Sequence, residues 1–215
     1  SPAKKSLKVL AIGNSFSQDA MQHLYQIASA AGLEDVVVAN LYIGGSSLEV
    51  HWSNAKHNLP RYRYDKNVDG QWRSQPNKSI LYGLLDEEWD VITLQQVSGY
   101  SGIATTFTEH DRLQNLIDYV NEHKTNPDAK LAWHMTWAYQ EDSTHQNFPR
   151  YNSNQLEMYQ AIVDATQSTI VTNEAFDFVI PSGTAIQNVR TSHVGDTLTR
   201  DGYHLSLNLG RYIAG

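Results

Sequence analysis

Three residues of this chain have the types needed for nucleophilic catalysis, and they lie at opposite ends of the sequence. Ser15 falls in "KVLAIGNSFS", Lys8 to Ser17, where an apolar run gives way to Gly13-Asn14-Ser15 and then to a helical pattern. Asp201 and His204 lie three residues apart in "TRDGYHLS". A serine hydroxyl is a weak nucleophile unless an imidazole takes its proton, and the imidazole needs a carboxylate to hold its tautomer and stabilise its cation. Each part also has a plain structural use: Ser15 in a helix cap, Asp201-Gly202 in a turn. Their joint presence favours the chemical reading, provided the fold joins the two ends.

The elements between them supply such a fold. Leu7 to Ile12, Val36 to Leu41, Asp90 to Leu94, Lys130 to Met135 and Phe176 to Ile180 read as strands, the second nearly continuous in apolar residues, as a strand covered on both faces would be. Helical spacing runs from Asp19 to Ala31, along Leu113, Leu116, Ile117 and Val120 after a capping-box pattern at Thr108-x-x-Asp111, and around Leu156 to Thr166. This alternation predicts an α/β class fold, a three-layer α/β/α sandwich with a mostly parallel sheet of about five strands. The chain reads as a single domain over 1–215 with an irregular insertion at about 51–79, where "RYRYDKNVDGQWRS" predicts a hairpin turning at Asp69-Gly70. Ligands of open parallel sheets lie beyond the carboxyl ends of the strands. Ser15 follows strand one, Gly44-Gly45 strand two, Gln95-Gln96 strand three, and Trp137 and Tyr139 strand four, so these ends converge on one rim.

Composition removes other classes. Lys plus Arg number 16 against 23 Asp plus Glu, and the net charge of -7 opposes a phosphate backbone, so no nucleic-acid partner is expected. No apolar run approaches the roughly 18 residues that span a bilayer. The absence of cysteine excludes disulfides, thiolate metal sites and a Cys nucleophile. The opening "SPAKKS" reads as the scar or mature end of a trimmed exported protein and "RYIAG" stops inside a helical pattern, so a periplasmic or secreted location is expected.

"GNSFS" after strand one, "GG" after strand two and "DGYH" near the C-terminus resemble the first, second and fifth blocks of the SGNH, or GDSL-like, hydrolase superfamily. The resemblance spans residues 7 to 206 and implies an SGNH-hydrolase, flavodoxin-like fold. It also implies Ser15 as nucleophile, His204 as base and Asp201 as its orienting partner, with the N–H groups of Ser15 and Gly45 in the oxyanion hole. Two departures stand out. Asn14 replaces the usual Asp beside the nucleophile, and "TLQQVSGYSG" lacks the block-three Asn that donates to the oxyanion. A Gln amide can make that bond from one methylene further away, and some carbohydrate-esterase branches have Gln at this strand end. The resemblance therefore favours Gln95, with Gln96 and Ser98 as alternatives because strand register at a sheet tip is open. The whole chain is similar to a gut-bacterial branch of SGNH-like proteins.

The expected function is hydrolysis of an acyl ester, above all an acetyl ester on a carbohydrate, without cofactor or metal. A mean hydropathy of −0.47 and an aromatic-rich polar insertion suit a small-molecule or glycan ester better than a lipid. Gln96, Trp137 and Tyr139 are the candidate substrate contacts. Two alternatives use the same residues differently: a non-catalytic carbohydrate-binding protein needs only the aromatics, and a metal-dependent phosphoesterase would use Asp201, His204, His193 and Asp196 as ligands.

Overall fold

A computed structural model describes residues 5–215; the part of the "SPAKKS" reading that rests on residues 1–4 lies outside them. The first strand, β1 (Ser6–Gly13), is buried on both faces. Leu10 and Ile12 join the larger apolar cluster with Leu41, Leu116 and Ile117, whereas Val9 and Ala11 face Met21, Ala28, Val36 and Val38 on the other side. The remaining strands are β2 (Asp35–Tyr42), β3 (Tyr62–Asn67), β4 (Trp72–Lys78), β5 (Val91–Leu94), β6 (Lys130–His134) and β7 (Phe178–Ile180). They form one sheet in the order β4-β3-β2-β1-β5-β6-β7. Pairing is parallel from β2 through β7, while β2–β3 and β3–β4 are antiparallel.

The expected α/β sandwich is therefore present, with seven strands where about five were expected. The extra two come from the insertion, which is less irregular than its composition predicts. Helix α3 (Leu48–Lys56) runs into it, and the hairpin turning at Asp69-Gly70 adds β3 and β4 to the sheet. Strand β4 is an edge, where Pro76 forfeits no ladder bond. Because β1 pairs with β2 on one side and β5 on the other, its carboxyl end is the point where the strand order reverses, the usual ligand crevice of such sheets.

Helical expectations need two corrections. The single helix expected over Asp19 to Ala31 is two, α1 (Ser15–Met21) and α2 (Leu24–Ala30), and the Gln22 carbonyl at the break accepts the Trp72 indole N–H at 3.3 Å. The Thr108-x-x-Asp111 pattern is no capping box. Asp111 is itself left-handed at φ 55, and α6 (Arg112–His123) starts without a side-chain cap, its first residue anchored instead by the bond from Arg112 Nη1 to the Thr106 carbonyl. Helices α4 (Ile80–Asp86), α5 (Thr105–Thr108), α7 (Gln155–Thr166), α8 (Ser182–Arg190) and α9 (Leu209–Ala214) complete the layers.

Candidate active site

Ser15 is the first residue of α1, so its N–H has no helix carbonyl to reach. Asn14 caps the helix by accepting the Phe16 N–H at 2.9 Å. The turn is tight: a Cβ at Gly13 would meet Ser17 Oγ at 2.3 Å and Gln95 Oε1 at 2.9 Å, so only glycine fits there. This turn presents the Ser15 hydroxyl at a cleft of about 460 Å³, which is also lined by Tyr42, Gly45, Ser98, His145, Asn147 and His204.

His204 Nε2 lies 2.9 Å from Ser15 Oγ, and His204 Nδ1 lies 2.6 Å from Asp201 Oδ2. The second Asp201 oxygen accepts the backbone N–H groups of Tyr203 at 3.1 Å and His204 at 2.7 Å. Burial alone would raise the Asp201 carboxyl, but the hydrogen bonds from the His204 ring and from those two amides outweigh it and hold the group below the usual carboxylate range. The imidazole is packed by Phe16 at 5.9 Å and Tyr203 at 4.2 Å between ring centroids. Gly45 has φ +66°, a left-handed conformation that costs glycine little, and it also lines the cleft.

The structure departs from expectation at the end of strand β5. Gln95 is buried and turned inward: its Nε2 donates to Asn14 Oδ1 at 2.8 Å, and its Oε1 pairs with His134 Nδ1 at 3.2 Å. Gln96 is equally committed, accepting the N–H of Leu48 and donating to the Thr106 carbonyl. Neither lines the cleft. Val97 and Ser98, just beyond them, do, and Ser98 brings a hydroxyl whose Oγ is 2.8 Å from that of Tyr139. Trp137 and Tyr139 are likewise not surface contacts. Both are fully buried; Trp137 stacks on Phe16 at 4.4 Å and donates its indole N–H to the Tyr203 carbonyl at 2.7 Å, bracing the loop that carries His204.

The Asn14 and Gln95 replacements belong together. Asn14 Nδ2 donates to the Ser46 carbonyl at 3.0 Å, a bond an aspartate cannot make, while its Oδ1 accepts the Gln95 amide. One amide pair thus ties the ends of β1, β2 and β5.

Several residues around the site carry no local sequence signal. His145 and Asn147 come from the long connection between β6 and α7; burial and the nearby His204 lower the affinity of His145 for a proton. Asp19, fully buried, accepts from Arg200 Nη1 at 3.1 Å, Arg211 Nε at 2.9 Å and the Leu205 N–H at 2.8 Å, pinning the segment of Asp201 and His204 beside α1. Of the four residues of the metal alternative, Asp196 is paired with Arg190 at 2.9 Å. Among the described residues no group of three or more His, Asp or Glu is gathered as a metal site, and no helix is long and apolar enough to cross a membrane.

Comparison with solved structures defines the class. The chain resembles a candidate SGNH hydrolase from Slackia heliotrinireducens, 18% identical with a TM-score of 0.55 over 97% of this chain and 95% of that one. It also resembles a lipase from a goat rumen metagenome, 12% identical with a TM-score of 0.57 over 97% and 94%. At these identities the likeness defines the fold, which is that of the SGNH/GDSL hydrolases. Residues 8–215 match DUF4886, a domain of unknown function, and the chain belongs to that family. A crystal structure of a DUF4886 family protein from Bacteroides uniformis is 44% identical, with a TM-score of 0.92 over 97% of this chain and 80% of that one. No curated protein is significantly similar to the chain.

Proposed function

We propose that this protein is a serine esterase that removes an acyl group, above all acetyl, from a carbohydrate. The observation that carries the proposal is the continuous hydrogen-bonded line Asp201–His204–Ser15 at the mouth of a cleft. Ser15 Oγ attacks the ester carbonyl as His204 Nε2 takes its proton, forming a tetrahedral intermediate. His204 then returns the proton to the leaving alcohol, and water releases the acyl group from Ser15 by the same steps. The oxyanion is held by the N–H groups of Ser15 and Gly45. The third donor in this reading is Ser98. Ser98 Oγ lies 2.8 Å from the Tyr139 hydroxyl, and in this reading it accepts from Tyr139 and turns its own proton to the oxyanion.

An acetyl group is favoured because the cleft is lined with histidine, amide and hydroxyl groups rather than an apolar channel. Acetyl xylan esterases are among the proteins that share the fold, 12–14% identical with TM-scores of 0.54. An acetylated glycan would be met outside the cytoplasm, which keeps a periplasmic or secreted location within the proposal. The test is hydrolysis of p-nitrophenyl esters of increasing chain length, then of acetylated glycans. Turnover is expected with acetate, is expected to fall with longer acyl chains, and is expected to vanish in Ser15→Ala. Ser15-independent turnover would overturn the mechanism, and a preference for long acyl chains would overturn the substrate.

A further inference from the structure

A second cavity, of about 270 Å³, opens on the sheet face under the β3–β4 hairpin and meets the reaction cleft at Gln18, which lines both. Its floor is a polar row on one face of three paired strands: Asn40 of β2 opposite Asp65 of β3, and Asp65 opposite Ser74 of β4. Over β1 and the start of β2 this same face is covered by apolar residues of α1 and α2; over the hairpin it is polar and open. Strand formation does not require this polarity, because any residue can pair its backbone.

Two observations point to a ligand. Trp72 is half-buried at the cavity, with its ring orientation set by the bond to the Gln22 carbonyl, and so offers a fixed apolar surface beside polar groups. The charges cancel locally: both oxygens of Asp65 accept from Arg63, at 2.8 Å each, and Ser74 donates to one of them at 2.6 Å. Arg63 in turn lies over the ring of Tyr42, a residue of the reaction cleft, at 4.1 Å.

We infer that this cavity is a sugar subsite that binds one neutral ring of the glycan next to the acylated unit. Polar lining residues at Gln18, Gln22 and Ser74, a carboxylate with accepting capacity and an aromatic surface match the hydroxyls and C–H face of a sugar ring. The paired Arg63 and Asp65 favour neither an anionic nor a cationic one. The inference rests on the esterase reading for its place in catalysis, but not for its test.

The test is calorimetric titration of Ser15→Ala, which cannot turn over, with xylotriose, mannotriose, chitotriose and the acidic trigalacturonate. At least one neutral trisaccharide is expected to bind in the millimolar range, and Trp72→Ala in that background is expected to weaken it by roughly tenfold or more. Ser74→Trp, which fills the cavity from an exposed edge-strand position, is expected to do the same while the circular dichroism and Tm stay those of the parent. Binding unaffected by both changes, binding of trigalacturonate alone, or no binding by any neutral trisaccharide would overturn the subsite. Hydrolysis of p-nitrophenyl acetate by the wild-type chain is measured alongside. Trp72-dependent sugar binding without hydrolysis would overturn the esterase reading and support the subsite, and hydrolysis without sugar binding would do the reverse.

Discussion

Among the described residues three histidine rings bond a serine hydroxyl, and two of them, His204 with Ser15 and His51 with Ser46, differ at the far nitrogen of the ring. His51 Nε2 is 3.2 Å from Ser46 Oγ, almost the spacing of His204 and Ser15, yet His51 is fully buried. Ser46 Oγ donates to the Gly13 carbonyl at 3.1 Å, so it receives from His51; His51 Nδ1 then accepts from the Tyr62 hydroxyl at 2.7 Å. That line of bonds makes Nε2 a donor, unable to take a proton from serine. At His204 the partner of Nδ1 is a carboxylate, which can only accept, so Nε2 is left as the acceptor facing Ser15. Burial also keeps His51 neutral, its pKa lowered to about 3. In the proposed mechanism, what sets His204 apart from His51 is the group behind the ring, not the serine in front of it.

The largest expected effect breaks the pair at the cleft. Ser15→Ala and His204→Ala should each lower kcat by a factor on the order of a hundred thousand or more, and the double variant should be scarcely worse, because parts of one relay fail together. Multiplicative losses in steady-state assays would contradict a shared role. His51→Phe should instead act on folding, costing about 1–3 kcal/mol in denaturant melts through the polar groups it leaves unpaired.

Asp201→Asn sharpens the comparison, because an amide behind the ring can donate to Nδ1 and turn His204 into a likeness of His51. A loss of kcat of roughly ten-thousandfold is expected with the fold intact. Wild-type-like kcat in this variant would show that the carboxylate does not set the tautomer.

Smaller effects are expected at the end of β5. Ser98→Ala should lower kcat by roughly a hundredfold with KM nearly unchanged, the signature of a donor felt mainly in the transition state. Gln95→Ala should be read chiefly in stability, since it leaves the buried His134 Nδ1 without its partner and removes one of the two bonds to Asn14 Oδ1. If Gln95→Ala gave the large kcat loss at unchanged Tm and Ser98→Ala none, the assignment of the third donor would reverse.

What was legible in the sequence and what was not divides along the same physical line. Ser15 could be read because the strand-to-helix switch is written locally in Gly13 and Asn14, and Asp201 with His204 because the two residues share one turn. The five parallel strands could be read from their apolar runs. The direction of the Gln95 side chain could not, since it is set by Asn14 and His134, 81 and 39 residues away. Trp137 and Tyr139 stand after strand four as expected, but their burial depends on Phe16, Phe148 and Tyr203 closing over them. The hairpin at Asp69-Gly70 could be read, but its joining the sheet could not, because β4, an exposed edge, carries no apolar alternation.

The mildest prediction concerns acid. His51 and His134 are held neutral by burial, at about 3 and about 4, whereas an unfolded chain protonates its histidines near about 6.5. Between those values the unfolded state binds more protons, so stability is full above about pH 6.5 and falls as pH drops toward 4. Taking pH from 7 to 4.5 should cost on the order of 2–3 kcal/mol for each histidine that stays neutral. His51→Phe should flatten part of that slope in a Tm-versus-pH series; an unchanged slope would mean that His51 is not its source.

The contacts of Asp19 have a consequence for how the molecule comes apart. One buried carboxylate near the start of the chain binds Arg200, Leu205 and Arg211, so the segment that carries His204 is tied to α1 through an ion cluster. Proteins open by segments as well as all at once, and detachment of this segment would carry His204 away from Ser15 while the seven-stranded sheet stays intact. Activity should therefore disappear at lower denaturant than the far-ultraviolet signal, and on refolding it should return last.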